Sequence, residues 1–221
     1  MTRARAIIFD FDGVLADTED LHCAAYQAVA TTVGVGLTLE DYHRHYLGLP
    51  DRECLAALCQ RHGVPLDRIS LDRLVAQKRE QFARLADRAS LYPGVTPVLR
   101  QLHARFTLAI ASGAFRDEIE PILARSGVRE LFAAVVGAED VRAGKPAPDP
   151  FLQALREINR RRPSPLAPSE CVVIEDSLHG ITAARAAGMR CVAVTTHHPI
   201  DVLTEADAVI DHVSRLRVED L

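Results

Sequence analysis

The sequence has no apolar run approaching the roughly 20 residues that a membrane span requires, which excludes a spanning helix. Its N-terminal apolar stretch, Ala6-Ile7-Ile8-Phe9, is too short for the core of a secretory signal. The cysteines are few: five, at 23, 54, 59, 171 and 191, scattered and forming no C-x-x-C pair. They read as reduced, mostly buried thiols of a cytoplasmic protein. Neither sign of charge dominates, with 26 basic residues against 30 acidic and a net charge of −4. That excludes a broad electrostatic footprint for nucleic acid or an anionic membrane. Internal repeats are absent as well. What is present is an ordinary globular composition, 48% hydrophobic and 25% charged over 221 residues. A chain of this length buries about 70% of its unfolded surface and needs neither disulfides nor a structural metal for its core.

Along the chain the texture changes twice. Ala6–Phe9 is a short continuous apolar run, the pattern of a strand buried on both faces. From Thr18 to about Ala89 such runs vanish. Leu21, Ala24, Ala25, Ala28 and Val29 mark one face of a helix that Gly34 ends. Thr38 and Asp41 resemble a capping box opening a second helix, and helices near 51–62 and 69–87 come next. At Tyr92-Pro93-Gly94 the texture reverts. Thr96 reads as an N-cap with Pro97 at the first helical position. Strands are expected at 107–111, 133–136, 171–174, 191–194 and 208–210. Helices are expected from Phe115 to Ser126, from Asp149-Pro150 onward, and from Ser177 to Gly188. Asn159 to Ser169, with three arginines and three prolines, reads as a solvated loop. Strands alternating with helices define an α/β, doubly wound parallel sheet carrying an inserted all-helical segment. The expected division is a discontinuous core, 1–17 and 90–221, and a cap, 18–89.

Ligands of such sheets bind beyond the carboxyl ends of the strands. The residues just past those ends are Asp10 and Asp12, then Ser112 and Gly113, then Gly144-Lys145-Pro146, then Glu175 and Asp176. Two carboxylates about 4 Å apart repel by roughly 4 kcal/mol at an effective dielectric of 20. Several share a site only with a compensating cation or a retained proton. An all-oxygen cluster selects a hard cation, and Mg²⁺ suits few carboxylates, retained waters and a phosphate. Lys145 adds a charge for a phosphoryl oxygen. Ser112 reads as the cap of the next helix and, with the Gly113 amide, as an anion site. The set points to Mg²⁺-assisted phosphoryl transfer.

Four segments carry a family resemblance: Asp10-Phe11-Asp12-Gly13-Val14, Ala111-Ser112-Gly113, Gly144-Lys145-Pro146-Ala147-Pro148-Asp149 and Ile174-Glu175-Asp176-Ser177. In this order they resemble the four motifs of the haloacid dehalogenase superfamily, with its Rossmann-like core. The helical insert is similar to the cap of the branch containing β-phosphoglucomutase, phosphoglycolate phosphatase and sugar-phosphate phosphatases. The resemblance implies that Asp10 is the nucleophile, forming an aspartyl-phosphate, and that Asp12 is the acid and base. It implies that Asp10, the carbonyl of Asp12 and Asp176 hold Mg²⁺, with Glu175 beside it directly or through water. Ser112 and Lys145 would grip the phosphoryl oxygens.

The cap supplies weaker candidates for substrate binding. His22 stands early in its first helix, at a spacing that β-phosphoglucomutase links to the acid and base. Lys78 stands where that branch places a lysine facing substrate, with a solvated helix lysine as the alternative. Gly48-Leu49-Pro50-Asp51-Arg52 looks like a selecting loop, with Arg52 its best partner for an anionic group. The loop lacks the Val-Ser-Arg segment of β-phosphoglucomutase, which favours a phosphatase over a phosphomutase. A dehalogenase has no need of Asp12. A phospho-acceptor receiver module shares the carboxylates, hydroxyl and lysine but carries no helical insert after its first strand. His179, His197 and His198 lack metal-ligand spacing and read as ordinary polar positions. The expected partner is a small phosphorylated metabolite, with no nucleic acid and no membrane, and the chain is expected to be a monomer.

Overall fold

The computed structural model describes residues 4–160 and 162–221. Residues 1–3, ahead of the first apolar run, and Arg161 of the arginine-rich stretch lie outside the described residues. The chain divides into two compact units, Met1–Asp17 with Ser90–Leu221, and Thr18–Ala89. Among the described residues no helix is long and apolar enough to cross a membrane.

The first unit opens with β1 (Ala6–Phe9), whose four residues are all buried, and β2 (Ala16–Asp17). The second unit is helical: α1 (Glu19–Thr32), α2 (Leu39–His45), α3 (Asp51–Arg61) and α4 (Arg68–Leu85). Thr38 caps α2, accepting from the amide of Asp41 at 3.0 Å and donating its hydroxyl to that side chain. Asp67 caps α4 through the amide of Ser70. Gly34, at φ +75°, comes after α1 in the left-handed region that favours glycine. The apolar faces of these helices meet in a core of Tyr26, Val29, Tyr42, Leu55, Leu58 and Leu74.

The chain re-enters the first unit at β3 (Ser90–Leu91) and continues through α5 (Val95–His103), β4 (Thr107–Ala111), α6 (Arg116–Arg125), β5 (Phe132–Val136), α7 (Asp149–Arg160), β6 (Cys171–Glu175), α8 (Leu178–Ala186), β7 (Arg190–Val194) and β8 (Ala208–Ile210). Six strands form one parallel sheet in the order β5-β4-β1-β6-β7-β8. Ile8 stands between Ala109 and Val173 in register. One face of the sheet, with Ala6, Ile8, Ala109, Ala111 and Val173, packs against Phe151, Ala154 and Ile158 of α7 and Ile181 of α8. The small alanines let α7 approach closely, and burying a ring such as Phe151 contributes about 2 kcal/mol. On the other side Val95, Leu99 and Leu102 of α5 are buried, and α5 packs against β4.

Two departures from the sequence expectation concern the secondary structure around the return into the first unit. Thr96 does not cap α5, because the helix starts one residue earlier with Gly94 as its N-cap at φ +83°. Pro97 then falls inside the first turn, where a missing N–H costs nothing. The pair β2–β3 has no sequence signature, since two residues are too few for any periodic signal. These strands pair antiparallel, Ala16 with Leu91 and Asp17 with Ser90.

Candidate active site

β1 is flanked by β4 and β6, so the chain winds away in opposite directions from the β1–β6 edge, where a crevice opens at the carboxyl ends. The amide of Asp10 donates to the carbonyl of Ile174 at 2.9 Å, carrying the β1–β6 pairing to the sheet's rim. Beyond it the chain coils tightly, with the amides of Leu15 and Ala16 both donating to the carbonyl of Phe11. Gly13 sits at φ +74°, and a Cβ there would lie 2.2 Å from Oδ2 of Asp176. A side chain at this position would push the coil off the end of β6.

Lys145, in the loop between β5 and α7, places Nζ 2.7 Å from Oδ1 of Asp10 and 2.5 Å from Oε1 of Glu175. Glu175 is fully buried, and its other oxygen accepts from the amides of Asp176 and Ser177 and from the Ser177 hydroxyl. Both oxygens of Glu175 are therefore occupied by donors of this chain. Gly180 makes room for it: a Cβ there would lie 1.8 Å from the Glu175 carboxyl. Asp176 receives Nδ1 of His197 at 2.6 Å.

Carboxylate oxygens of Asp10, Glu175 and Asp176 lie within 4.8 Å of one another. Burial pushes the Asp10 carboxyl well above the ordinary carboxylate range; Lys145 pulls it down, and the neighbouring Glu175, Asp176 and Asp12 push it up again. Burial likewise raises Asp176 to about 6, against the hydrogen bond from His197. Burial alone would lower Lys145, but Asp10 and Glu175 outweigh it and hold the ammonium above its ordinary range. The cluster thus holds more negative charge than its lysine balances. Oδ1 of Asp10 is buried and, apart from its ion pair with Lys145, has no aligned hydrogen-bond donor. An all-oxygen set with a surplus of charge and such an atom fits a hard divalent cation.

Ser112 stands just past β4, and its amide donates to the carbonyl of Val136. Its hydroxyl accepts from the amide of Ala114 at 3.0 Å and makes a long contact, 3.5 Å, to Oδ2 of Asp12. It does not cap the next helix: Phe115 is the N-cap of α6, and the Phe115 amide donates to Glu118 instead. Gly113 is exposed and lies ahead of that cap, so its amide is not one of the helix's own free donors.

In the cap, His22 and Lys78 come together. Nζ of Lys78 lies 2.9 Å from Nδ1 of His22 and 2.8 Å from Oδ1 of Asp51, with the Tyr26 hydroxyl donating to that same oxygen at 2.6 Å. The His22 ring stacks on Phe82. Lys78 is fully buried and is not a solvated helix lysine. Arg52 is separate, half exposed and paired with Asp72.

Sequence reasoning read His197 as an ordinary polar position, which its contact with Asp176 corrects, and overlooked Gly180. His197 lies past the end of β7, and extending the strand-end rule to that strand would have found it. A lone glycine within a helical pattern was the available sign of close approach at Gly180.

A doubly wound sheet with these groups at its switch point is the setting in which the profile of the haloacid dehalogenase-like hydrolases matches residues 7–194. The chain belongs to that family, and several of its relatives are named phosphatases. It is 34% identical over 208 residues to a phosphorylated carbohydrates phosphatase of Thermotoga maritima, covering 92% of each chain. It is also 34% identical over 197 residues to a fructose-1-phosphate phosphatase of Escherichia coli, covering 87% of this chain and 97% of that one. Among solved structures, a β-phosphoglucomutase of Clostridium difficile superposes with a TM-score of 0.85 at 25% identity, over 98% of this chain and 95% of the other.

Proposed function

We propose that the protein is a Mg²⁺-dependent phosphatase of small sugar phosphates, working through an aspartyl-phosphate on Asp10. The observation that carries this reading is the buried Asp10–Lys145–Glu175–Asp176 cluster at the switch point of the sheet. Asp10 attacks phosphorus while Lys145 holds its carboxylate in place and takes up charge on the phosphoryl oxygens. Asp12 protonates the leaving oxygen and later removes a proton from the attacking water. Ser112, beside Asp12, donates to a phosphoryl oxygen. Asp10, Asp176 and the carbonyl of Asp12 hold the metal. When bound there, Mg²⁺ would supply positive charge to offset the repulsion among the carboxylates and to polarise the phosphoryl group. Glu175, with both oxygens occupied, serves chiefly to orient Lys145.

A phosphomutase would use the same phosphorylated Asp10 and differ only in whether a sugar hydroxyl or water attacks it. The likeness to the solved β-phosphoglucomutase favours that second reading. Against it stands the charge state of the cap, where the buried Lys78 is paired with Asp51. A bisphosphorylated sugar needs cations for its second phosphate, and this one is already engaged. We further take the cap to select substrate as a unit and the core to perform the chemistry.

The test is phosphate release from a panel of sugar phosphates, with Mg²⁺ and with excess chelator, repeated with a sugar bisphosphate as activator. The phosphatase reading expects metal-dependent release that the bisphosphate does not redirect. Full activity in chelator would sink the metal role, and isomerised sugar phosphate without released phosphate would replace the phosphatase by the mutase.

A further inference from the structure

The phosphatase mechanism leaves His197 unused, although it reaches the cluster from a strand end of its own. Its side chain is 18% exposed and that of Asp176 7%, so their 2.6 Å contact is shielded from water. Two acceptors do not approach this closely, so a proton lies between Nδ1 and Oδ2. The imidazole also packs over the coil beyond β1. A Cβ on Gly13 would lie 2.7 Å from both Nδ1 and Cε1 of the ring. The turn after β1, the end of β6 and the loop after β7 therefore meet with no room for a methyl group.

We propose that His197 is a positioning residue for the cluster, holding the Asp176 carboxylate in the orientation that it needs as a metal ligand. An aspartate at the end of a strand has two soft torsions. Beside Asp10 and Glu175, electrostatic repulsion turns a free carboxylate away from the cluster. A hydrogen bond to one oxygen opposes that rotation, as partners behind metal-binding groups commonly do. The inference rests on reading the cluster as a Mg²⁺ site.

The decisive comparison uses two variants of the full chain, His197→Phe and His197→Asn. Phenylalanine keeps a ring packed over Gly13 but has no N–H; asparagine loses the ring but keeps an N–H where Nδ1 stood. Metal-free protein is titrated with Mg²⁺ in a calorimeter, without substrate. His197→Phe is expected to bind 10–100-fold more weakly than the unaltered protein. His197→Asn is expected to recover most of the affinity, and turnover in both variants should rise towards the unaltered rate as Mg²⁺ is raised. Equal affinity in His197→Phe and the unaltered protein would reduce His197 to packing and overturn the proposal. So would equal weakening in both variants. If the unaltered protein fails to bind Mg²⁺ at all, the metal reading itself falls, a result distinct from either of these.

Discussion

Lys145 in the core and Lys78 in the cap are both buried lysines facing carboxylates, yet their surroundings differ in kind. Lys145 touches Asp10 and Glu175, with Asp176 and Asp12 close enough to load the cluster with further negative charge. Lys78 meets Asp51 and a histidine, and its ammonium lies 5.3 Å and 5.1 Å from the ring centres of Tyr26 and Phe82. A balanced pair lined with aromatic faces needs nothing more to be stable. A cluster left with surplus charge is relieved by a retained proton or by a cation from outside, and buried groups with strongly shifted acidity mark such places. Burial of a lysine is therefore a poor guide to function on its own, and the charge balance around it a better one.

Mutation is expected to separate the two regions. The largest expected effect is at Asp10→Asn, which should abolish both turnover and any phosphoenzyme trapped by acid quench. A trapped phosphoenzyme in that variant would move the nucleophile elsewhere. Asp12→Asn should lower kcat about 10²–10⁴-fold through lost proton transfer, with little change in substrate binding. In the cap, Lys78→Met should cost stability rather than chemistry, about 3–5 kcal/mol, because Asp51 is left without its cation. Urea unfolding of Lys78→Met beside the double variant Lys78→Met with Asp51→Leu sharpens the point. The double variant should regain most of the loss, and if it does not, the pair is more than a balanced structural contact. The smallest effect is expected at Arg52→Ala, whose side chain is half exposed. It should reorder kcat/KM among sugar phosphates while leaving a minimal aryl phosphate almost untouched. A uniform loss across all substrates would place Arg52 in the chemistry or the folding instead of selection.

The parallel sheet was legible because each strand is a short apolar run that gives way at once to polar residues, as in Phe9-Asp10 and Ile174-Glu175. The same junctions put Asp10, Glu175 and Asp176 on one rim, and the structure brings Lys145 to them from the loop after β5. What sequence could not supply was local hydrogen bonding. Ser112 precedes a helix and has a capping side chain, but the helix begins four residues later, because Phe115 is already extended and Glu118 satisfies its amide. The neutralisation of Lys78 by Asp51 joins two different helices, and no periodicity reports a contact of that kind. His197 was hidden for a different reason. Its partner is a carboxylate twenty-one residues away, and searches for metal-binding histidines look for neighbours of their own kind.

The two-residue ribbon of β2 and β3 has a consequence for how such a chain can diversify. Asp17 and Ser90 are cross-strand partners, so about 70 residues leave and return through adjacent positions. The sheet's connectivity runs on as though a tight turn stood there. Closing a loop costs only about 0.6 kcal/mol more for each doubling of its length, so the inserted stretch is nearly free to grow, shrink or be exchanged. A lineage of such chains can replace its insert wholesale while every residue at the rim of the sheet keeps its place.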